Sequence, residues 1–157
     1  MFGTLTTPQM LEILLTQPVG RLACNDAPAP YVVPVSYAFE GGCVYIYSME
    51  GRKLALMRKD PNVRFLVDDT EQLSNWKSVL CEGLFEELTS TEQRLAALNV
   101  LGKRKIPFVS SKTMRISPEW PFDEEDMSQL PGVFFRIVVK EMTGRFEQPD
   151  KAHYYAT

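Results

Sequence analysis

The segment from position 48 to position 53 contains four residues of the types that bind phosphate groups. It reads Ser48-Met49-Glu50-Gly51-Arg52-Lys53, which combines a hydroxyl, a glycine and two adjacent cations. A predicted strand passes into a predicted helix here, so the free N–H groups of the first helical turn would point toward a bound anion. The glycine lets the backbone approach the anion closely, and the cations neutralise its charge. The segment also fits an ordinary solvated start of a basic helix, and taken alone it does not separate the two.

A second candidate site is a β-rich stretch, residues 31–37, with a proline near its centre. Pro34 has no N–H and cannot donate to a strand ladder, so this stretch is expected at a sheet edge or a bulge. Open backbone beside Pro34 would be able to hydrogen-bond a planar ring. An edge strand protected against aggregation fits the same residues equally well.

Metal and thiol chemistry find little support in the sequence. Its one histidine, His153, has no neighbouring Cys, Asp or Glu at ligand spacing, so no metal site is predicted. The three cysteines, Cys24, Cys43 and Cys81, are odd in number and lack Cys-x-x-Cys spacing. They fit reduced thiols, which predicts a reducing cytoplasmic environment.

Length and charge limit the class of protein. A chain of 157 residues is expected to form one domain, residues 1–157, around one core. The net charge of −3 argues against nucleic acid as a partner, because phosphate backbones need clustered cations. Neither a signal-type N-terminus nor an apolar run of membrane-spanning length is found, so no membrane partner is expected.

About six strands and a few short helices must position the candidate residues. Strands are predicted over residues 21–24, 30–39, 43–48, 62–68, 78–88 and 133–142. Capping boxes at Thr6/Gln9 and Ser90/Gln93 predict two helix starts, and a third helix is expected over residues 51–59. Trp76 is expected in a polar loop between two strands, and residues 106–132 in a proline-rich loop.

Most neighbouring strands are joined by connections of hairpin length, which predicts a mainly β, antiparallel barrel with flanking short helices. A barrel of this size fills its interior with its own side chains. A cofactor is therefore expected on the outside of the barrel or between two subunits.

The order of these segments resembles the pyridoxamine 5′-phosphate oxidase-related family of split barrels that bind flavin mononucleotide (FMN). The resemblance runs from about residue 20 to residue 83, with a closing strand near residues 133–145. It rests on Gly20-Arg21-Leu22-Ala23, residues 30–37, Val44 to Ser48 with Gly51-Arg52-Lys53, Asp60-Pro61-Asn62-Val63, Ser78-Val79 and Gly83. Nitroimidazole-reductase-type and uncharacterised flavoproteins are the most similar branch.

The resemblance implies a set of cofactor contacts and a homodimer. It places Val33, Pro34, Val35 and Ser36 along the isoalloxazine ring. Tyr47 and Ser48 would lie along the ribityl and phosphate end, and Arg52 and Lys53 would hold the phosphate. Trp76 and Ser78 would make a further contact with the flavin. In this family FMN lies in a groove at the dimer interface, and the partner subunit supplies part of each wall. That location agrees with the expectation of an external, shared site.

The function implied is that of an FMN-dependent oxidoreductase acting on a small molecule, with NADH or NADPH as a candidate electron donor. No catalytic residue is assigned, because Tyr47 stands where nitroimidazole-reductase-type members often carry histidine. A non-catalytic flavin- or haem-binding carrier or sensor is the alternative. The sequence does not distinguish FMN from deazaflavin F420.

Overall fold

The structure is a computed structural model that describes residues 1–104 and 130–149. It consists of strands and short helices. In chain order they are β1 (Phe2–Thr4), α1 (Thr7–Thr16), β2 (Val19–Cys24), β3 (Tyr31–Ser36), β4 (Ala38–Glu40), β5 (Cys43–Ser48), α2 (Arg52–Lys59), β6 (Asn62–Gln72), β7 (Asn75–Leu88), α3 (Thr91–Gly102) and β8 (Val133–Glu147). In the described parts of the chain, none of the helices is long and apolar enough to cross a membrane.

The strands form one antiparallel sheet that curls into a half-barrel. Its order is β3-β2-β6-β7-β8-β5-β4, and β1 pairs with β8. This arrangement confirms the predicted mainly β, split-barrel fold with short helices. The described sheet has eight strands rather than about six. β1 is too short to show an alternating pattern, and the predicted strand 30–39 divides at Tyr37, so that β3 and β4 lie at opposite ends of the sheet.

The predicted helix starts are confirmed by their hydrogen bonds. The Thr6 backbone N–H donates to the Gln9 side chain at 2.8 Å, and the Gln93 backbone N–H donates to Ser90 Oγ at 3.1 Å. α1 ends at Thr16, two residues before Pro18, as expected from the restriction that a proline imposes on the residue before it.

The concave side of the sheet packs around one large core that α1 and α2 complete. Phe65, Phe135 and Ile137 are fully buried there. Gly20 allows the closest approach, since a Cβ atom at that position would lie 2.1 Å from the Phe65 ring. This filled interior leaves the outer surface of the sheet as the place for a ligand.

Helix α3 covers only part of that outer surface. Its buried residues pack in a second cluster with Ala38, Leu88 and Phe134. The uncovered remainder, which we call the open face, spans β3, β2, β6 and the adjoining parts of β7 and β8. Its outward side chains follow from strand alternation and register: Val19, Arg21, Ala23, Val32, Pro34, Ser36, Arg64, Leu66, Asp68, Trp76, Ser78, Leu80, Glu82, Thr143 and Arg145.

Candidate functional site

The first turn of α2 has the properties of an anion site. Gly51 occupies the N-cap position, no side chain caps the helix, and the first turn contains no acidic residue. Its free N–H groups are therefore available to an anion, and the helix dipole favours a negative charge there. Ser48, at the end of β5, is buried, and its hydroxyl donates to the Met49 carbonyl at 2.8 Å.

Glu50, the one carboxylate of the segment, is held by a cation outside it. Two guanidinium nitrogens of Arg58 donate to Glu50 at 2.9 and 2.8 Å, and the same guanidinium pairs with Glu87 at 2.8 Å. The hydrogen bond from Arg58 lowers the pKa of Glu50 below its usual range. Arg58 is shared with Glu87 and so offsets only part of the Glu50 charge, which makes Glu50 oppose an incoming phosphate less than a free carboxylate would.

One of the predicted phosphate cations, Arg52, reaches the turn that joins β2 to β3. Arg52 donates to Asp26 at 2.5 Å, and its guanidinium carbon lies 4.7 Å from the centre of the Tyr31 ring. Lys53 lies close enough to Cys24 for its charge to act on that thiol: burial raises the pKa of Cys24, and the Lys53 charge opposes the rise. Cys24 and Tyr31 are register partners, so Arg52 lies at that end of the β2–β3 hairpin, and the charge of Lys53 acts on the same end.

β3 itself is an edge strand, as the position of Pro34 predicted. Its side chains alternate, with Val33 and Val35 packed against the core and Pro34 and Ser36 exposed on the open face. Three residues of strand, about 10 Å, separate Tyr31 from Pro34. The first turn of α2 thus lies near the start of β3, and the Tyr31 side chain that Arg52 contacts faces the core side of the strand, opposite to Pro34 and Ser36.

Ser78 lies on the open face, farther from β3. It is the register partner of both Asp68 on β6 and Arg145 on β8. Three strand spacings of about 4.8 Å separate β7 from β3. Arg21, on the strand between β3 and β6, forms an ion pair with Asp68, so Ser78 belongs to the same surface but not to the same cluster.

Trp76 lies in β7 and not in a loop, which corrects the sequence interpretation. Register pairing continues to Asn75, so the polar residues before Ser78 extend the strand. The Trp76 indole N–H donates to Glu147 at 3.0 Å, and its ring lies edge-on to Phe2 at 5.7 Å. Trp76 shares the open face with Ser78 but is engaged in its own contacts there.

Tyr47 is separated from the other predicted contacts. Its side chain points away from that of Ser48, because neighbouring strand residues face opposite sides. The Tyr47 hydroxyl donates to the Pro131 carbonyl, its ring packs against Phe134 at 4.8 Å, and burial raises its pKa. Gly132, with φ of 107°, passes directly over this hydroxyl.

Arg104 is a site residue that the sequence did not reveal. Its guanidinium donates to Ser36 Oγ at 2.7 Å and to the Pro18 carbonyl, and it lies 5.5 Å from the centre of the Tyr37 ring. Nothing in the local sequence after α3 signals this contact, because only the packing of α3 across the sheet brings residue 104 to β3.

In residues 1–104 and 130–149, no group of three or more His, Cys, Asp or Glu side chains is placed to hold a metal ion. His153 and most of the predicted loop 106–132 lie outside the described residues. The described site can therefore bind an anion at α2 and a flat group along β3, and it presents no evident acid–base pair.

Comparison with known proteins extends this picture. Residues 6–146 match the family model for pyridoxamine 5′-phosphate oxidase. An uncharacterised protein of Rhizobium meliloti is 31% identical over 138 residues, which cover 81% of this chain and 83% of that protein.

Solved structures share the fold. A FAD-binding protein of Mesorhizobium loti is 33% identical, with a TM-score of 0.71 over 94% of this chain and 99% of that one. A Bacteroides thetaiotaomicron protein, whose name associates it with 5-nitroimidazole antibiotic resistance, has a TM-score of 0.72 at 18% identity over 93% of this chain and 87% of that one. At that identity the likeness concerns the fold alone.

Proposed function

The chain belongs to the pyridoxamine 5′-phosphate oxidase family, and from that premise we propose that it is a flavoprotein that binds FMN along β3 and at the first turn of α2. The observation that carries the proposal is the meeting of an uncapped helix start, Arg52 and Lys53 at one end of an exposed edge strand. The Mesorhizobium loti structure, a FAD-binding protein at 33% identity, supports a flavin as the ligand class.

In this proposal each group has a separate task. The α2 N–H groups, Arg52 and Lys53 hold the phosphate, and Asp26 gives up its ion pair with Arg52 when phosphate binds. Backbone beside Pro34 supports the ring, and Arg104 fixes the Ser36 hydroxyl at the end of the same strand. A bound flavin would supply hydride transfer at N5, and the protein would position a small-molecule substrate and NADH or NADPH beside it.

We propose further that the site is completed by a second copy of the chain. The barrel interior is filled, so the ligand must lie on the outer surface, where the open face exposes 54% of Val32, 41% of Val19 and 37% of Leu66. Exposed apolar side chains that adjoin a polar site are typical of a protein interface. Sedimentation equilibrium of the flavin-loaded protein should therefore give twice the chain mass, and a monomeric mass would reject this part.

A cytoplasmic location belongs to the same proposal. It is supported by the three cysteines, all of which are free and buried. Such thiols need no oxidising compartment.

The direct test is an absorbance spectrum of the purified protein with chromatographic identification of any released chromophore. We expect flavin bands and FMN in a ratio near one per chain. The Arg52→Ala/Lys53→Ala double variant should lose most of the flavin. Lys59→Ala/Lys140→Ala removes two exposed cations elsewhere and should retain it. Full retention in the first double variant would reject the phosphate site.

Two other results would redirect the proposal. Release of FAD would replace FMN, in keeping with the name of the Mesorhizobium loti relative. A haem spectrum would favour the carrier alternative.

Enzymatic turnover is tested separately by adding NADH or NADPH without oxygen. Bleaching of the flavin, followed by recovery of its colour on addition of an electron acceptor, would support an oxidoreductase. A flavin that stays oxidised with both donors would instead support a carrier or sensor.

A further inference from the structure

A cavity of about 490 Å³ lies between the ends of α1 and α3 and the start of β4. This volume falls in the range of small-molecule sites. Its apolar wall is formed by Leu14, Leu15, Phe39 and Val100, and its polar groups come from Thr16, Gln17, Tyr37, Glu40, Lys103 and Arg104. None of these residues belongs to the α2 phosphate site, and Arg104 alone also contacts the proposed ring-binding strand, through the Ser36 hydroxyl.

The cavity lining carries two cations, Lys103 and Arg104, and one carboxylate, Glu40. Lys103 and Glu40 form a long ion pair of 3.6 Å, and both side chains are more than half exposed. An ion pair with this geometry contributes little to stability and is readily broken. Arg104 then remains as the uncompensated charge.

Arg104 is half-buried, and its described contacts are all neutral: the Ser36 hydroxyl, the Pro18 carbonyl and the Tyr37 ring. No carboxylate within residues 1–104 or 130–149 pairs with it. Burial lowers the pKa of Arg104, which reflects the cost of placing the charge there. A guanidinium offers five N–H donors. The hydrogen bonds to Ser36 and Pro18 use two of them, so further donors remain for a ligand.

We propose that this cavity binds a small organic monoanion, a carboxylate carried on an apolar body, with Arg104 recognising the charge. A carboxylate matches the planar donor geometry of a guanidinium, and binding would supply the missing counter-charge. The apolar body would pack against Leu15 and Phe39, the more exposed apolar side chains of the lining. This assignment stands on the cavity itself and does not require flavin to bind.

The test uses benzoate as the probe and benzamide, its neutral analogue of the same shape, in ligand-observed NMR titrations of the full-length protein. We expect benzoate to bind at least tenfold more tightly than benzamide. Arg104→Gln should weaken the binding of benzoate at least fivefold and leave the affinity for benzamide within twofold of the wild type. Lys59→Gln, which removes an exposed cation far from the cavity, should change neither.

A second variant keeps the test independent of the folding of Arg104→Gln. Leu15 lines the cavity yet is 66% exposed, so its replacement should cost little stability. Leu15→Glu should weaken benzoate at least fivefold relative to Leu15→Gln, because it places a carboxylate at the mouth. Equal binding of benzoate and benzamide, absent binding of both, or equal benzoate affinity in these two variants would each overturn the proposal.

Discussion

Removal of one hydroxyl from the core, in Tyr37→Phe, should destabilise the fold measurably. The Tyr37 hydroxyl donates to the Leu14 carbonyl at 2.7 Å, and both residues are 1% exposed. In a continuing helix that carbonyl would accept from the N–H four residues later, but position 18 is proline and has none. Tyr37→Phe therefore leaves a buried carbonyl without its partner.

An unsatisfied buried acceptor costs about 1–3 kcal/mol. The edge-on contact of the Tyr37 ring with Phe65, at 4.9 Å, should survive in phenylalanine, so the loss is that of the hydrogen bond. For a chain of this size a loss of about 2 kcal/mol lowers the melting temperature by about 4–8 °C.

The assay is thermal unfolding followed by circular dichroism, with urea unfolding for the free energy. Tyr31→Phe is the matched control, since the hydroxyl of Tyr31 makes no hydrogen bond with the described residues; its melting temperature should stay within about 1–2 °C of the wild type. If Tyr37→Phe melts like the control, the Leu14 carbonyl has another donor and the reasoning is refuted.

Three further outcomes are expected. Gly20→Ala should destabilise by about 1–3 kcal/mol in urea unfolding because its Cβ would overlap the Phe65 ring, whereas Gly51→Ala, with nothing within 4 Å, should cost less than half as much. Burial raises the pKa of Cys81 to about 12 from 9.0, so stability present below pH 9 should fall as the pH rises toward 12; Cys81→Ala should show a shallower fall, and parallel curves would contradict this. Asp26→Asn should tighten FMN binding about two- to fivefold in fluorescence titrations, because it frees Arg52 from its ion pair. Weaker FMN binding in this variant would count against the phosphate site.

Local features of the fold followed from the sequence because short-range chemistry determines them. The strand Cys43–Ser48 was predicted with its observed bounds, and the helix starting at Ser90 with its capping box. The edge position of the strand containing Pro34 followed from the missing N–H alone. Each prediction required only side-chain alternation, a cap or a missing donor, which are properties of a few adjacent residues.

Predictions failed where a residue's environment is set by distant segments. Trp76 was assigned to a loop because its neighbours are polar, yet register pairing with β6 and β8 holds it in a strand. Gly132 lies over the Tyr47 hydroxyl, a contact between distant segments that the sequence did not indicate. Neither environment could be obtained from the neighbouring residues in the sequence.

The sequence by itself determined most of the elements and the mainly antiparallel fold class, since these depend on periodicity and turn chemistry, and the order of its short motifs indicated the family by resemblance. Only the tertiary structure decided which of the candidate residues meet. Curling of the sheet brings Arg52 to Asp26 beside the edge strand, and the packing of α3 carries Arg104 across to Ser36. The first contact joins residues 26 positions apart and the second joins residues 68 positions apart, so both depend on the packing of the whole sheet and its helices, which no local pattern encodes.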